Sequence, residues 1–448
     1  MINKSLLPPG PRAKFPFGEL FEFRRNMLEY LTNIAKEYGD VVHFKIGPIR
    51  IVLLNHPDLI KEVLSTRHRN FVKGRPLELS KILLGEGLLT SEGEFHARQS
   101  RMIQPAFHHK KIESYAAVMT EYASRLGKNW EEGMKVEMKE EMTKMTTAIA
   151  GKTMFNVNIE QEAPEIDQAL NAAASLFGRV SIPFAEWLFK LPLPSTFRFY
   201  KAKARLDTTI HRMIGERRHN SEDNGDLLSL LLTSQDEEGE GERMNYQQIR
   251  DEAITLFLTA FDTTSTALIW TWYLLSQNPQ AEAELYEELD HVLQGRIPTF
   301  TDLPQLKYTR MVFAESMRLY PPTYIITRQA LEDFPIHKYV VPAGTLILMS
   351  PYLIHHDSRF HPDPETFNPR SWVQHSPGQI PKYAYFPFGG GPRSCIGEPF
   401  AWLEGVLVIA TLARTWRMQF VPDHPVEFLP LINLKPRYGM TMTLHRRP

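Results

Sequence analysis

The sequence predicts a mainly α protein with small β-sheets near both ends (α+β), built as a single large helical domain. Three observations lead there. From about residue 93 to 290, apolar side chains recur three and four apart, the period of one helix face. Runs rich in β-branched and aromatic residues, separated by turn residues, are confined to 41–55 and to the chain after about 320. No repeat or low-complexity linker is present, and no clear boundary appears. Length alone would allow two or three domains. Without a boundary, 1–448 reads as one domain, with 1–20 as a proline-rich N-terminal segment.

Taken in order, Pro8, Pro9, Gly10 and Pro11 exclude helix and predict a stiff lead-in. Residues 26–37 predict a short helix ending at Tyr38-Gly39-Asp40. VVHFKIGPIRIVLLN then predicts a hairpin turning at Gly47-Pro48. His56-Pro57-Asp58 opens a helix that ends near Leu64. The helical stretch that follows is broken at Pro105, around Pro183, and at Pro192 and Pro194. SQDEEGEGERMN (234–245) predicts a solvated acidic loop; the alternating ligands of a calcium loop are missing. After about 320, prolines become frequent, and YVVPAGTLILMS predicts a turn followed by a strand. A last helix follows Cys395, and Phe428 to Leu444 predict short strands.

Composition narrows the function. With 43% hydrophobic and 23% charged residues, the chain is not broadly disordered. It carries 51 basic and 52 acidic residues, so no global field draws it to nucleic acid or an anionic membrane. Its start has no apolar run long enough for a signal peptide or membrane anchor, which predicts a soluble cytoplasmic protein. Cys395 is the only cysteine, so an intramolecular disulfide and a CxxC metal site are excluded.

The informative stretch is FPFGGGPRSCIGEPFAWLEG, 386–405. Its glycines allow backbone amides to approach a ligand closely. A cysteine just before a helix, two residues after Arg393, is placed to be an anion. From these residues alone it reads as a buried structural cysteine, a nucleophile needing a histidine base, or a metal thiolate. The spacing Phe388-x-x-Gly391-x-Arg393-x-Cys395-x-Gly397, followed by Phe400-Ala401 and Glu404, resembles the haem-binding signature of the cytochromes P-450. That resemblance implies haem b between a long threonine-bearing helix and the cysteine loop. It makes Cys395 the proximal iron ligand, with Phe388 beside the sulfur and Arg393 on a haem propionate.

Other elements agree. Glu315 and Arg318 in AESMRLYPP share a helix face. An isolated surface pair of that kind contributes little. The resemblance makes them the family's Glu-x-x-Arg element, a buried network supporting the haem loop. Its usual third member, an arginine, is replaced by Ser371 in Phe367-Asn368-Pro369-Arg370-Ser371-Trp372. Either Arg370 reaches round or a backbone contact substitutes. LFLTAFDTTSTALIW (256–270) is apolar and helical yet rich in threonine. Buried threonines usually bond back to the carbonyl four residues earlier. By resemblance Thr263 faces the distal side and Asp262 helps deliver protons. Thr259, Ala260 and Thr263 would share the haem-facing side, with Ala260 in the place of the usual glycine. GEFHARQSRMIQPAFHH (93–109) resembles a propionate-binding helix: His96 matches, while Ser100 stands at the second position with Arg101 beside it. Arg328 in IITRQA resembles another propionate ligand.

The resemblance therefore implies a haem-thiolate monooxygenase that inserts one atom of O2 into an apolar substrate such as a fatty acid, terpenoid or steroid. No flavin or iron–sulfur motif is present, so a separate ferredoxin with its reductase, or a flavodoxin, would supply electrons. Lys110, Lys111, Arg414 and Arg417 are candidates for its docking patch. Candidate pocket residues are Leu83 and Leu84 in the first variable loop, with Leu258, Thr259 and Phe261 on the threonine helix. Thr323, Tyr324, Ile325 and Ile326 follow the double proline, and Leu431 and Ile432 lie near the end. Pro183 to Tyr200 reads equally as a mobile lid or a packed connection. The rivals are a peroxide-using or peroxide-rearranging haem-thiolate enzyme, a non-catalytic haem-binding protein and, more distantly, a cysteine hydrolase. Retention of Asp262 and Thr263 argues against the first two.

Overall fold

The structure is a computed structural model; it describes residues 7–12, 17–159, 166, 191, 193–219, 226–236, 241, 243–374 and 380–447. Two short helices, α1 (Leu20–Arg25) and α2 (Met27–Tyr38), precede a hairpin of β1 (Val41–Ile46) and β2 (Ile49–Leu54). Then come α3 (Pro57–Lys61), β3 (Phe71–Val72), α4 (Arg75–Leu84), α5 (Gly93–Ile103), α6 (His109–Lys128), β4 (Lys135–Glu137) and α7 (Met138–Phe155). The middle holds α8 (Pro194–His219), α9 (Leu227–Thr233), α10 (Tyr246–Gln277), α11 (Pro279–Leu293) and α12 (Lys307–Leu319). Next are β5 (Ile326–Ala330), β6 (Phe334–Ile336), β7 (Tyr339–Val341), β8 (Leu346–Met349), α13 (Pro351–His355) and α14 (Ser371–Gln374). The chain closes with α15 (Glu398–Ala413), β9 (Trp416–Phe420), β10 (Phe428–Pro430), β11 (Leu434–Pro436) and β12 (Thr441–Arg446).

The hairpin shows how pattern becomes packing. Successive side chains leave a strand on opposite faces. Val42, Phe44, Ile51 and Leu53 pack under α1 and α2, while Val41, Val52 and Leu54 face the other way, toward α3 and β5. A one-residue slip would exchange these sets, so burial on both faces pins the register Val41↔Leu54 to Ile46↔Ile49. β2 then pairs in parallel with β8, giving a five-stranded sheet of order β1-β2-β8-β5-β3. That pairing joins both ends of the chain and left no local trace in the sequence. β4, β12 and β9 form a second sheet.

α10 is the central helix. Asn245 caps it: its side chain accepts from the Gln248 backbone N–H at 2.9 Å, and Gln248 answers at 2.7 Å. Pro279 stops it and starts α11. It is long and apolar enough to cross a membrane, but most of it is buried among α7, α12 and α15. Pro194, expected as a break, sits in the first turn of α8, where its missing N–H costs nothing. The acidic loop also differs from expectation at one point. Asp236 is buried, held by Arg98 at 3.7 Å and Arg101 at 3.1 Å.

Candidate functional site

The cysteine loop follows a helical turn at Lys382–Ala384 and leaves as α15. Gly391 has φ +69°, and a Cβ there would lie 1.8 Å from the Leu64 carbonyl oxygen, so only glycine lets the loop pass. The Cys395 N–H donates to the Phe388 carbonyl at 3.0 Å. Cys395 lines a cavity of about 1490 Å³, together with Phe388, Ile396, Gly397, Phe400 and Ala401. Its accessible surface faces that cavity, and protein encloses it otherwise. Burial pushes the thiol up to about 11, outweighing the N–H groups of Gly397 and Glu398 that favour the anion. A bound metal cation would favour the thiolate and work against that burial.

One end of the cavity gathers basic side chains. Lys73, His96, Arg328 and Arg393 all line it. Arg393 donates through Nη1 to the Ser91 carbonyl at 2.7 Å and pairs with Glu92. Arg328 is buried, donating to the Thr327 carbonyl at 2.8 Å. Lys73 donates to the Leu88 carbonyl at 3.1 Å and to that of Leu89. Burial, then mutual repulsion, drives His96 down to about 3 and Arg328 down to about 10, and holds Lys73 well below its usual value. Crowded, desolvated basic groups of this kind call for anions, with His96 a neutral N–H donor among them. The two propionates of a haem, above a thiolate ligand, fit that need. Lys73 escaped the sequence reading: a single lysine in FVKGRP carries no spacing signal. Arg101 is corrected away from this site, since it pairs with Asp236. One residue along a helix turns the side chain by about 100°, so Ser100 lines the cavity and Arg101 does not.

Beneath the loop, Arg318 Nε and Nη2 donate to the two oxygens of Glu315 at 2.9 and 2.8 Å, and both residues are buried. Its remaining N–H groups reach the carbonyls of His355, Pro364 and Thr366. At the position held by Ser371 a backbone contact does substitute, as one of the two expectations had it, and an unexpected indole joins it. Trp372 Nε1 donates to Glu315 at 2.8 Å and the Asn368 N–H at 3.0 Å, while Arg370 turns outward to Glu284. His355 Nε2 accepts from the Phe386 N–H at 3.0 Å, which leaves its proton on Nδ1, 3.2 Å from the Arg318 carbonyl. The network thus reaches the first residue of the cysteine loop.

α10 forms the roof. Leu258, Thr259, Ala260, Asp262, Thr263 and Thr264 line the cavity. Thr263 Oγ1 donates back to the Thr259 carbonyl at 2.9 Å, leaving oxygen lone pairs for another donor. Phe261 is a correction. It is fully buried, its ring 5.5 Å from that of Phe257, and its carbonyl accepts from Thr146 on α7. Two residues from Thr259 and two from Thr263, it falls on the opposite helix face. The other candidates, Leu83, Leu84, Thr323, Tyr324, Ile325, Ile326, Leu431 and Ile432, do line the cavity. The segment after α4 is held to α10, as Glu86 and Leu88 N–H groups donate to Asp251 and Glu252, both at 2.9 Å.

Of the docking candidates, Arg417 pairs with Glu282 at 3.0 Å and Arg414 donates to the Gly295 carbonyl. Half of the 183–200 segment, read equally as a lid or a packed connection, lies outside the described residues; Pro194 to Tyr200 begin α8.

A model of the cytochrome P450 family matches residues 8–441. Cyclooctatin synthase of Streptomyces melanosporofaciens is 36% identical over 93% of this chain and 91% of its own. Cyclooctat-9-en-7-ol 5-monooxygenase of the same organism is 36% identical over 90% and 88%. Pentalenene oxygenase of Streptomyces avermitilis is 32% identical over 93% and 92%.

Proposed function

Since the chain belongs to the cytochrome P450 family, we propose that it is a haem b monooxygenase of terpenoids. The family assignment carries the reaction: one atom of O2 enters an apolar substrate, and the other leaves as water, with electrons supplied by a separate redox partner. In balance, RH, O2, two electrons and two protons give ROH and H2O. Bound haem would supply dioxygen binding and reductive activation.

The residues of this chain do the rest. Cys395 would hold the iron through its sulfur. Lys73, His96, Arg328 and Arg393 would hold the propionates, and Phe388 and Gly397 would flank the sulfur. Thr263, beside Asp262, would hold and pass protons to the distal side. Leu83, Leu84, Leu258, Ile326 and Leu431 would exclude water and seat the substrate. Glu315 and Arg318 would brace the loop without touching the reaction. Ferredoxin with its reductase, or a flavodoxin, would deliver electrons to a one-domain cytoplasmic enzyme.

The observation that carries this reading is a mainly apolar cavity that brings together the Cys395 thiol, Thr263 and the basic side chains of Lys73, His96, Arg328 and Arg393. Three relatives named for cyclic terpenoid chemistry favour that substrate class. The test is a panel of cyclic C15 and C20 terpenes with ferredoxin, its reductase, NADPH and ¹⁸O2. One labelled oxygen in a terpene product is expected. Turnover of fatty acids alone would overturn the terpenoid assignment, and product formed only with peroxide would overturn the reductive one.

A further inference from the structure

The cavity lining carries more positive charge than two propionates would use. Besides Lys73, His96, Arg328 and Arg393 it includes Arg24, Arg25, Arg50, Arg75 and Arg437. Among the described residues, the acids of the lining are Asp262, beside Thr263 on α10, and Glu427. Glu427 is taken by Arg437 at 3.1 Å, and Arg25 leans on Glu22 at 3.8 Å. Arg24 and Arg50 are exposed and pair with no carboxylate among the described residues. The chain as a whole has a formal net charge of -1, so this excess is local.

The fold explains how these side chains meet. Arg24 and Arg25 close α1, at the corner where Asn26 caps α2. Phe23, Ile46 and Ile51 pack α1 against the first hairpin. Arg50 is the neighbour of Ile51, which pairs with Leu346 on β8, and Leu346 pairs with Gln329 on β5. Ile51, Leu346 and Gln329 all line the cavity, so Arg24 and Arg50 stand on one rim of it. Lys45 and Arg50 are directly opposite in the hairpin register. Like charges placed so oppose pairing of the strands. Burial, then the charges of Lys45 and Arg50, push His43 below its usual value, so the positive field there is not neutralised from within.

We propose that this rim anchors an anionic end group, and that the substrate is therefore amphipathic, with an apolar body in the cavity and a carboxylate or phosphate at Arg24 and Arg50. The planar guanidinium fork suits either anion. The anchor fixes which end of the substrate enters first, and hence which part of its skeleton reaches Thr263. The proposal rests on the reading of this cavity as a substrate site and narrows the substrate class given above.

The test is equilibrium binding to the ferric holoprotein, followed by the spin-state shift in absorbance. Geranylgeranoic acid, geranylgeranyl phosphate and geranylgeraniol share one skeleton and differ at the end group; palmitate and hexadecanol repeat the comparison on a fatty chain. One anionic isoprenoid is expected to bind about tenfold tighter than the alcohol, and which one it is identifies the anion. Arg50→Gln is expected to weaken that anion about fivefold and leave the alcohol unchanged, and Arg24→Gln to act alike. Added salt should weaken the anion and not the alcohol. Equal affinity for acid, phosphate and alcohol, or an equal loss for all three in Arg50→Gln, would overturn the anchor and leave the terpenoid reading standing. If no isoprenoid binds, while palmitate binds tighter than hexadecanol and Arg50→Gln removes that preference, the anchor stands and the terpenoid reading falls. If Arg50→Gln weakens only binding to vesicles containing an anionic lipid, the arginines serve a lipid surface and the proposal is overturned.

Discussion

The floor and the roof of the cavity are built in opposite ways. The floor is contiguous: the run from Phe388 to Ala401 contributes loop, thiol and helix. The roof is assembled from four distant places: α4 with its following segment, α10, the Thr323–Ile326 stretch, and the β10–β11 hairpin. A contiguous floor places its ligand by local backbone geometry, such as the passage of Gly391 past Leu64. A dispersed roof holds its shape through side-chain bonds between elements, such as Asp262 to Lys435 and Leu88 to Glu252. The floor therefore suits a constant cofactor, and the roof suits a substrate that differs between relatives.

The comparison breaks most visibly where the floor depends on a distant brace. Arg318→Ala leaves Glu315 buried without its ion-pair partner, a loss of about 3–5 kcal/mol. Little folded holoprotein should accumulate, as judged by thermal melting and haem content; normal melting would show that the loop supports itself. Next is the residue on the wrong side of α10. Phe261→Ala should cost about 3–5 kcal/mol in urea unfolding while leaving ligand-induced spin shifts unchanged; a changed substrate preference would return Phe261 to the roof. Thr263→Ala is expected to keep stability but to lower product formation by roughly 10²-fold, with peroxide released instead. Unchanged product per electron would remove Thr263 from the proton path.

A pH dependence sharpens the floor. Burial pushes the Glu404 carboxyl up from 4.5 to about 8, with contact to Thr264 working the other way. Between those values the folded protein keeps a proton that the unfolded chain has lost. Stability must then fall as pH rises from about 5 to 8, by at most about 1.4 kcal/mol per pH unit. Glu404→Gln should remove that slope, so its melting temperature should gain on the unmodified protein as pH rises. Parallel curves would mean that Glu404 ionises normally.

What could be read from sequence follows the same division. The longer helices, the first hairpin and the run around Cys395 were legible because their signals are local: 3.6-residue periodicity, a Gly-Pro turn, fixed spacing around Cys395; α4 was not, and Leu83 and Leu84, expected in a loop, end that helix. The parallel β2–β8 pairing was not, since Val52 and Ile347 meet only in three dimensions. Trp372 standing in for an arginine at Ser371 was not, because an indole N–H offers no motif. Lys73 and Arg101 show the limit from both sides. A lone lysine reaches the site unannounced, and an arginine one residue from the right position faces elsewhere. The thiol adds a chemical lesson: dipole and nearby charge favoured an anion, but burial is the larger effect until a cation binds.

The central claim is a thiolate-ligated haem on this floor. Its most direct test is the carbon monoxide difference spectrum of the dithionite-reduced protein, recorded with and without Cys395→Ser. A strongly red-shifted Soret band that disappears in Cys395→Ser is the expected result. A histidine-like carbonyl spectrum, or no haem, in the unmodified protein would contradict the account.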